Sequence, residues 1–297
     1  MRRVAAGAAL RTGLARGPGE RPGPGRNVIL HAPITATIHA MVTKVASPAD
    51  TGTVNRVLRI LSAFAARDRW PLNELARELD LPRGSVHRLL KLCRPLGFVD
   101  QDAEGLYTPG IELYRVAGKL SAEMPINRLA APLLHGLRDA TDETAMLVLL
   151  SRQELRIFMS DIAWPSHPLR YTVALNQLQP LTWGAAGRSI LAFLRQDEID
   201  EAIGQAATSP LNGRELDVPE LRDTLEQIRR QGYATSYAER APDMHGIAVP
   251  FFDREGQVRG NLMLTVPHFR FDEAQQERHL ALLRAAATEL MRRLGWR

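Results

Sequence analysis

The chain has 297 residues, of which 45% are hydrophobic, 24% charged and 6% aromatic, a composition typical of globular domains and long enough for two of them. Its single cysteine, Cys93, excludes an internal disulfide and a multi-thiolate metal site, and we therefore expect a cytoplasmic location. No apolar run reaches the length that a membrane-spanning helix requires, so we expect no membrane partner.

The net charge of +5 belongs to the first forty residues, where six arginines face one glutamate. This segment is rich in Gly, Pro and Ala and has no hydrophobic period, so we predict that residues 1–50 form a disordered tail. In an alternative interpretation Met41 is the true start and residues 1–40 are translated upstream sequence. Arg11 interrupts the apolar run that a secretion signal would need.

Three helices are predicted after the tail. Apolar residues between Val54 and Phe64 recur at steps of three and four, and a second short amphipathic pattern covers residues 72–79. A turn follows over residues 80–82, and Pro82 suits the first turn of the third helix. The buried stripe of that helix is predicted to be Val86, Leu89, Leu90 and Cys93. Two short helices joined by a tight turn indicate a helix-turn-helix, whose second helix enters the major groove of DNA.

The outward face of the third helix carries the predicted DNA contacts. These residues are Arg83, Gly84, Ser85, His87, Arg88 and Lys91. Their side chains supply hydrogen-bond donors, and the glycine allows close backbone approach, which are the features that phosphates and base edges require.

A strand, turn and strand follow, with the turn at residues 102–105. They complete a predicted winged helix over residues 51–110. Asp100, Asp102 and Glu104 make this wing acidic, which argues against the wing tip as the main phosphate contact. The prediction therefore assigns that role to the third helix.

The second half of the chain predicts a sensor domain. An apolar-rich helix at residues 111–126 is predicted to link the domains or to pair with a second copy. Helices and strands then alternate through residues 127–297, which indicates an α+β domain. The predicted strands cover residues 144–150, 155–161, 169–175, 233–238, 246–253 and 259–266. The predicted helices cover residues 129–140, 187–194, 219–231 and 273–294.

No catalytic, metal or cofactor site is predicted, so we expect a protein that is not an enzyme. The run Gly187-Arg188-Ser189 begins like a nucleophile elbow but lacks the closing glycine, and the histidines lack the spacing of a helical zinc site. The small residues of Trp183–Gly187 open a helix whose free amides could face a ligand carboxylate. Close packing of this helix against a sheet would require the same small residues.

Several motifs resemble the IclR-type bacterial transcription regulators. The runs VNRVLRILSAF, LNELARELDLPRGSVHRLLKLCRPLGFV and YTPGIEL are similar to that family's winged helix. The run PLTWGAAGRSILAFL is similar to its pocket loop and helix, and IRRQGYATSYAER and GIAVPFFDREGQVRGNLMLTVP are similar to its closing strands. The resemblance covers residues 54–295.

This resemblance implies an α+β two-domain protein with an N-terminal winged helix-turn-helix and a C-terminal GAF-like effector-binding domain. It implies a transcriptional repressor or activator that binds a pseudo-palindromic double-stranded DNA operator as a homodimer or dimer of dimers. A small-molecule effector would modulate the affinity for the operator. Two alternatives from other classes are an enzyme acting on a small acid and a sensor or interaction module without DNA binding.

The resemblance also implies the effector contacts. By motif they fall at Ala185, Ala186, Ser236, Gly246, Met263 and Thr265. We add Met146, Trp164, Gly187 and Met244 as further candidates. Several family members that bind small oxo-acids carry Asp, Cys and Ser at the last four matched places. This chain departs from them by exchanging hydrogen-bonding groups for space and a thioether, which predicts a larger, partly apolar or aromatic acid.

Overall fold

The computed structural model describes residues 52–166, 173–206 and 208–296. Within these ranges the helices are α1 (Thr53–Ala66), α2 (Leu72–Glu78), α3 (Arg83–Cys93), α4 (Ile111–Glu123), α5 (Pro125–Thr141), α6 (Gly184–Leu191), α7 (Gln196–Gly204), α8 (Val218–Gln231) and α9 (Glu273–Arg293). The strands are β1 (Val99–Gln101), β2 (Tyr107–Pro109), β3 (Thr144–Ser151), β4 (Arg156–Ala163), β5 (Gln179–Pro180), β6 (Ala234–Tyr237), β7 (Met244–Phe252) and β8 (Val258–Pro267). The predicted disordered tail lies outside the described residues.

The N-terminal part is a winged helix, as predicted. Helices α1, α2 and α3 enclose a core around Ile60, Leu75 and Leu90, and β1 and β2 form the antiparallel wing. Trp70 extends the wing by exchanging two backbone hydrogen bonds of 2.9 Å with Tyr107. The apolar period of the sequence and the turn residues between helices are enough to specify this arrangement.

The turn between α2 and α3 has the backbone geometry of a helix stop. Asp80 takes a left-handed φ of 51°, and the Leu81 amide donates to the Ala76 carbonyl over 3.0 Å. The Arg59 guanidinium also donates to the Leu79 carbonyl over 2.7 Å, which fastens α1 to the end of α2. These bonds fix the direction in which α3 leaves the turn.

The C-terminal part is built on one antiparallel sheet in the order β5-β4-β3-β8-β7-β6. Helices α5 and α9 cover one face of the sheet, and α6 and α8 cover the other. The central strand β8 is buried almost continuously because both faces are covered. The predicted α+β class is confirmed.

The structure differs from the predicted elements in four places. Helix α7 was not predicted, and β5 was not predicted. The strand expected at residues 169–175 falls largely outside the described residues, and within the described remainder Leu175 makes a single bridge to Met159. Helix α6 begins at Gly184, three residues earlier than predicted.

The predicted link at residues 111–126 is two elements rather than one. Helix α4 ends at Glu123, and α5 begins at Pro125 after an extended Met124. The two helices contact each other. Among the described helices, none combines the length and the hydropathy that crossing a membrane requires.

Candidate nucleic-acid interface and ligand cavity

Helix α3 presents all six predicted DNA contacts on its outward face. Arg83, Gly84, Arg88 and Lys91 are exposed, and Ser85 and His87 are half-buried. The predicted stripe of Val86, Leu89, Leu90 and Cys93 is buried against the rest of the winged helix. The sequence period therefore divided the helix correctly into an inner and an outer face.

The outward face of α3 is uncommitted within the part of the chain that the structure describes. No hydrogen bond or ion pair there engages the side chains of Arg83, His87, Arg88 or Lys91. A side chain at Gly84 would meet nothing within 4 Å, so packing inside the protein does not require a glycine there. The face offers three formal positive charges and several donors to a partner.

The wing is less acidic than its sequence indicates, because Arg69 lies beside it. The Arg69 guanidinium contacts Asp102, with an Nε to Oδ2 distance of 3.0 Å, and reaches Glu104 over 2.9 Å. Hydrogen bonding from Arg69 lowers the pKa of Asp102, whose carboxylate also accepts from the Leu106 amide over 2.8 Å. No local sequence pattern predicts this pairing, because 33 residues separate Arg69 from Asp102.

Helix α4 is joined directly to the segment that follows α3. The Glu112 amide donates to the Gly97 carbonyl over 3.0 Å, and the Gly110 amide donates to the Phe98 carbonyl over 3.0 Å. A Cβ at Gly110 would lie 2.1 Å from the Gly97 oxygen, so only glycine permits this approach. These bonds tie the start of α4 to the segment that follows the candidate recognition helix.

A cavity of about 70 Å³ lies between α6, the segment before it and the sheet. Seven of the nine predicted effector residues line it: Met146, Ala185, Ala186, Ser236, Gly246, Met263 and Thr265. Met244 also lines it, as predicted. The lining further includes Met159, Gln179 and Arg240, which the sequence analysis missed.

Two of the predicted effector residues do not line this cavity. Trp164 is half-buried just beyond the end of β4. Gly187 is buried in α6, where a Cβ would lie 2.3 Å from the Leu181 carbonyl oxygen. Close packing accounts for this glycine, and its assignment to the effector site stays a prediction.

The first amides of α6 are not free, contrary to the expectation from Trp183–Gly187. The Gly184 amide donates to the Glu239 carboxylate over 2.9 Å, and the Ala185 amide donates to Ser236 Oγ over 3.0 Å. Side chains from the end of β6 and the loop after it thus satisfy the start of α6. Ser236 keeps its hydroxyl proton for a further acceptor in the cavity.

Within the described residues the structure offers no catalytic arrangement around the elbow-like run. Ser189 is buried, and its hydroxyl donates to the Ala186 carbonyl over 3.1 Å. Asn261 Nδ2 donates to the same hydroxyl over 2.9 Å. A serine held in this way between a helix and a strand is inaccessible to a substrate.

The histidines at positions 245 and 268, which lack the spacing of a helical zinc site, contact each other in the structure. Their ring nitrogens lie 3.0 Å apart, and the His245 ring stacks on Phe271 with a centroid distance of 3.7 Å. Among the described residues, no group of three or more His, Cys, Asp or Glu could hold a metal ion.

Comparison with known proteins agrees with this two-part arrangement. The model of the IclR helix-turn-helix domain matches residues 53–103, and the model of the bacterial transcriptional regulator IclR C-terminal domain matches residues 119–292. The HTH-type transcriptional regulator KipR of Bacillus subtilis is 27% identical, over 82% of this chain and 97% of that protein.

Solved structures show the same fold. An IclR transcriptional regulator from a Silicibacter species has a TM-score of 0.75 at 26% identity, over 83% of this chain and 97% of that one. An IclR homolog from Microbacterium hydrocarbonoxydans, complexed with 4-hydroxybenzoate, has a TM-score of 0.66 at 20% identity, over 82% of this chain and 99% of that one.

The chain joins a winged helix, whose third helix is rich in hydrogen-bond donors, to an α+β domain that holds a cavity. This combination defines a DNA-binding transcriptional regulator with an effector-binding domain. The family models match well over half of the chain, and the named relatives are regulators rather than enzymes. The chain belongs to the IclR family of bacterial transcriptional regulators.

Proposed function

We propose that the protein controls transcription by binding a pseudo-palindromic operator through α3 and releasing or strengthening that contact when an organic acid enters the cavity. The observation that carries the proposal is the uncommitted donor face of α3. Arg83 or Arg88 forks onto a guanine edge, and Lys91 contacts a phosphate. Ser85 and His87 add backbone contacts, and Gly84 lets the duplex approach the helix closely.

A second copy of the chain supplies the second half-site. Two-fold symmetry in the protein matches a two-fold related operator. Helix α4 supports this assignment because it has no buried residue, while Ile111 is 80% exposed and Leu120 is 66% exposed. Pairing of this helix with its twin would bury that apolar surface, giving a homodimer, or a dimer of dimers through a further interface. The proposed site of action is the cytoplasm.

The cavity supports a small organic acid as the effector. Its volume of about 70 Å³ is close to half of the ~150 Å³ that encloses a benzene ring. An aromatic acid therefore requires movement of the lining, and Met146, Met159, Met244 and Met263 supply unbranched side chains that adapt readily. The Microbacterium homolog complexed with 4-hydroxybenzoate is an example of this fold with an aromatic acid.

The winged helix and the effector-binding domain are coupled by a shift in population between two arrangements of the protein. An effector acts only through different affinities for those arrangements. Helix α4 contacts α5, and its Glu112 amide donates to the Gly97 carbonyl, while Gly110 just before the helix donates to Phe98. The helix is therefore the physical connection between the domains. Effector binding thereby changes the spacing of two recognition helices in a dimer.

Gel-shift titration of the full chain with the DNA upstream of its own gene tests the proposal. We expect wild type to shift this duplex and Arg88→Ala to bind it about 10- to 100-fold more weakly, from the loss of a bidentate base contact. Arg230→Ala is the matched control because Arg230 is an exposed arginine on α8, remote from α3. Equal binding by wild type and Arg88→Ala would contradict the assignment of Arg88.

A further inference from the structure

The cavity wall contains one ionisable side chain. Among the described residues that line it, Arg240 alone carries a charge, and the others are apolar, small or neutral polar. Arg240 closes the run IRRQGYATSYAER, but the family likeness assigned it no contact with the effector. A lone cation in a largely apolar cavity is a costly feature unless an anion joins it.

The Arg240 guanidinium donates only to neutral oxygens in the part of the chain that the structure describes. Nε donates to the Trp183 carbonyl over 2.9 Å, and Nη2 donates to the Pro180 carbonyl over 2.6 Å. Nη1 donates to the side-chain oxygen of Gln179. Since a guanidinium has five N–H groups, one N–H on each terminal nitrogen remains for a ligand.

The neighbouring charges do not balance Arg240. The Glu239 carboxylate is engaged by the Arg188 guanidinium over 2.9 Å and by the Gly184 amide over 2.9 Å. Arg188, Glu239 and Arg240 together therefore carry one net positive charge beside the cavity. Burial lowers the pKa of Arg240 to about 10, so the guanidinium stays protonated at neutral pH.

We propose that Arg240 determines the effector class by binding one carboxylate with its two remaining N–H groups, while the methionine-lined part of the cavity holds the organic portion. This proposal rests on the proposed function of the cavity as the effector site. A carboxylate matches the planar fork of a guanidinium and supplies the single missing negative charge. The neutral amide of the same acid has the same shape but offers neither the charge nor two acceptor oxygens.

The test compares acid and amide pairs of matched shape, butyrate with butyramide and benzoate with benzamide, by calorimetry on the full chain. We expect wild type to bind one acid about 10- to 100-fold more tightly than its amide, the range of a charge-assisted hydrogen bond. Arg240→Gln should lose this preference, and Arg240→Lys should keep part of it. Arg229→Gln is the matched control, since Arg229 also donates to a backbone carbonyl, that of Ala192, but does not line the cavity.

The outcomes separate this inference from the proposed function. If Arg240→Gln still prefers the acid while Gly246→Val, which fills the cavity, abolishes binding, the cavity is the effector site and Arg240 is not the anchor. If Gly246→Val binds the acid as tightly as wild type, the effector site lies elsewhere and both proposals fail. Wild type that binds neither acid, or binds acid and amide equally, would also overturn the role of Arg240.

Discussion

The contact between Gly110 and Gly97 gives the sharpest test of how the two domains are coupled. In Gly110→Ala the new Cβ would lie 2.1 Å from the Gly97 carbonyl oxygen, more than 1 Å inside ordinary contact. That oxygen belongs to the backbone and cannot rotate away, so the junction must open. Opening it strains or breaks the hydrogen bonds from Glu112 to Gly97 and from Gly110 to Phe98, both 3.0 Å long.

The cost follows from these contacts. Overpacking costs about 1–3 kcal/mol, and each lost hydrogen bond about 1 kcal/mol. The lower entropy of alanine in the unfolded chain returns about 0.4–1 kcal/mol. Since these terms overlap, we expect the winged helix to lose about 2 kcal/mol of stability. Its equilibrium constant for opening should then rise roughly 30-fold.

Hydrogen exchange of peptides that cover α3 and the wing measures this opening directly. The matched control is Gly136→Ala on α5, where a side chain would meet nothing within 4 Å and helix propensity predicts a gain of about 0.8 kcal/mol. The same Gly110→Ala protein should bind its operator with an affinity that no longer responds to effector. Unchanged exchange in the α3 peptides, with an intact effector response, would refute coupling through this junction.

Three further predictions concern the two roles on α3, the wing and the packing of α6. Arg88→Ala should relax specificity at one base pair, whereas Lys91→Ala should weaken binding to all duplexes alike and reduce the slope of log affinity against log salt by about 1. A selection from randomised operators and a salt series distinguish the two variants. Identical selection and salt profiles for both variants would contradict the division of roles. Arg69→Ala removes the cation that pairs with Asp102 and Glu104 of the wing, and it should weaken DNA binding a few-fold at low salt. The effect should be smaller at high salt because exposed charges are screened. Equal affinities of wild type and Arg69→Ala in low-salt titrations would show that this pairing does not affect DNA binding. Gly187→Ala forces a methyl to within 2.3 Å of the Leu181 oxygen and should lower the melting temperature of the effector domain by several degrees; calorimetry showing an unchanged transition would mean that α6 relaxes freely.

Local patterns predicted the winged helix well because its helices carry clear apolar stripes and its turns carry Asp80, Pro82 and Gly105. They missed α7, in which Ile199 and Ala202 are the buried apolar residues, and Glu198 is held by an ion pair with Arg152 from the turn between β3 and β4. Such a helix is stabilised by tertiary contacts that no short window of sequence contains.

The candidate sites divide in the same way. The outward face of α3 follows from helix geometry, and six of the fifteen residues that line the cavity followed from the family likeness. The contacts of Arg69 with the wing and of Arg240 with the segment before α6 span 33 to 61 residues, so only the folded chain reveals them. The occupied amides of Gly184 and Ala185 depend on the same long-range packing.

The most direct test of the account is fluorescence anisotropy of the full chain with the DNA upstream of its own gene and with a scrambled duplex, across a salt series. The native duplex should bind about a thousandfold more tightly than the scrambled one, in the range of specific over non-specific recognition. Equal affinity for the two duplexes at every salt concentration would contradict it, because α3 would then contact phosphates without reading sequence.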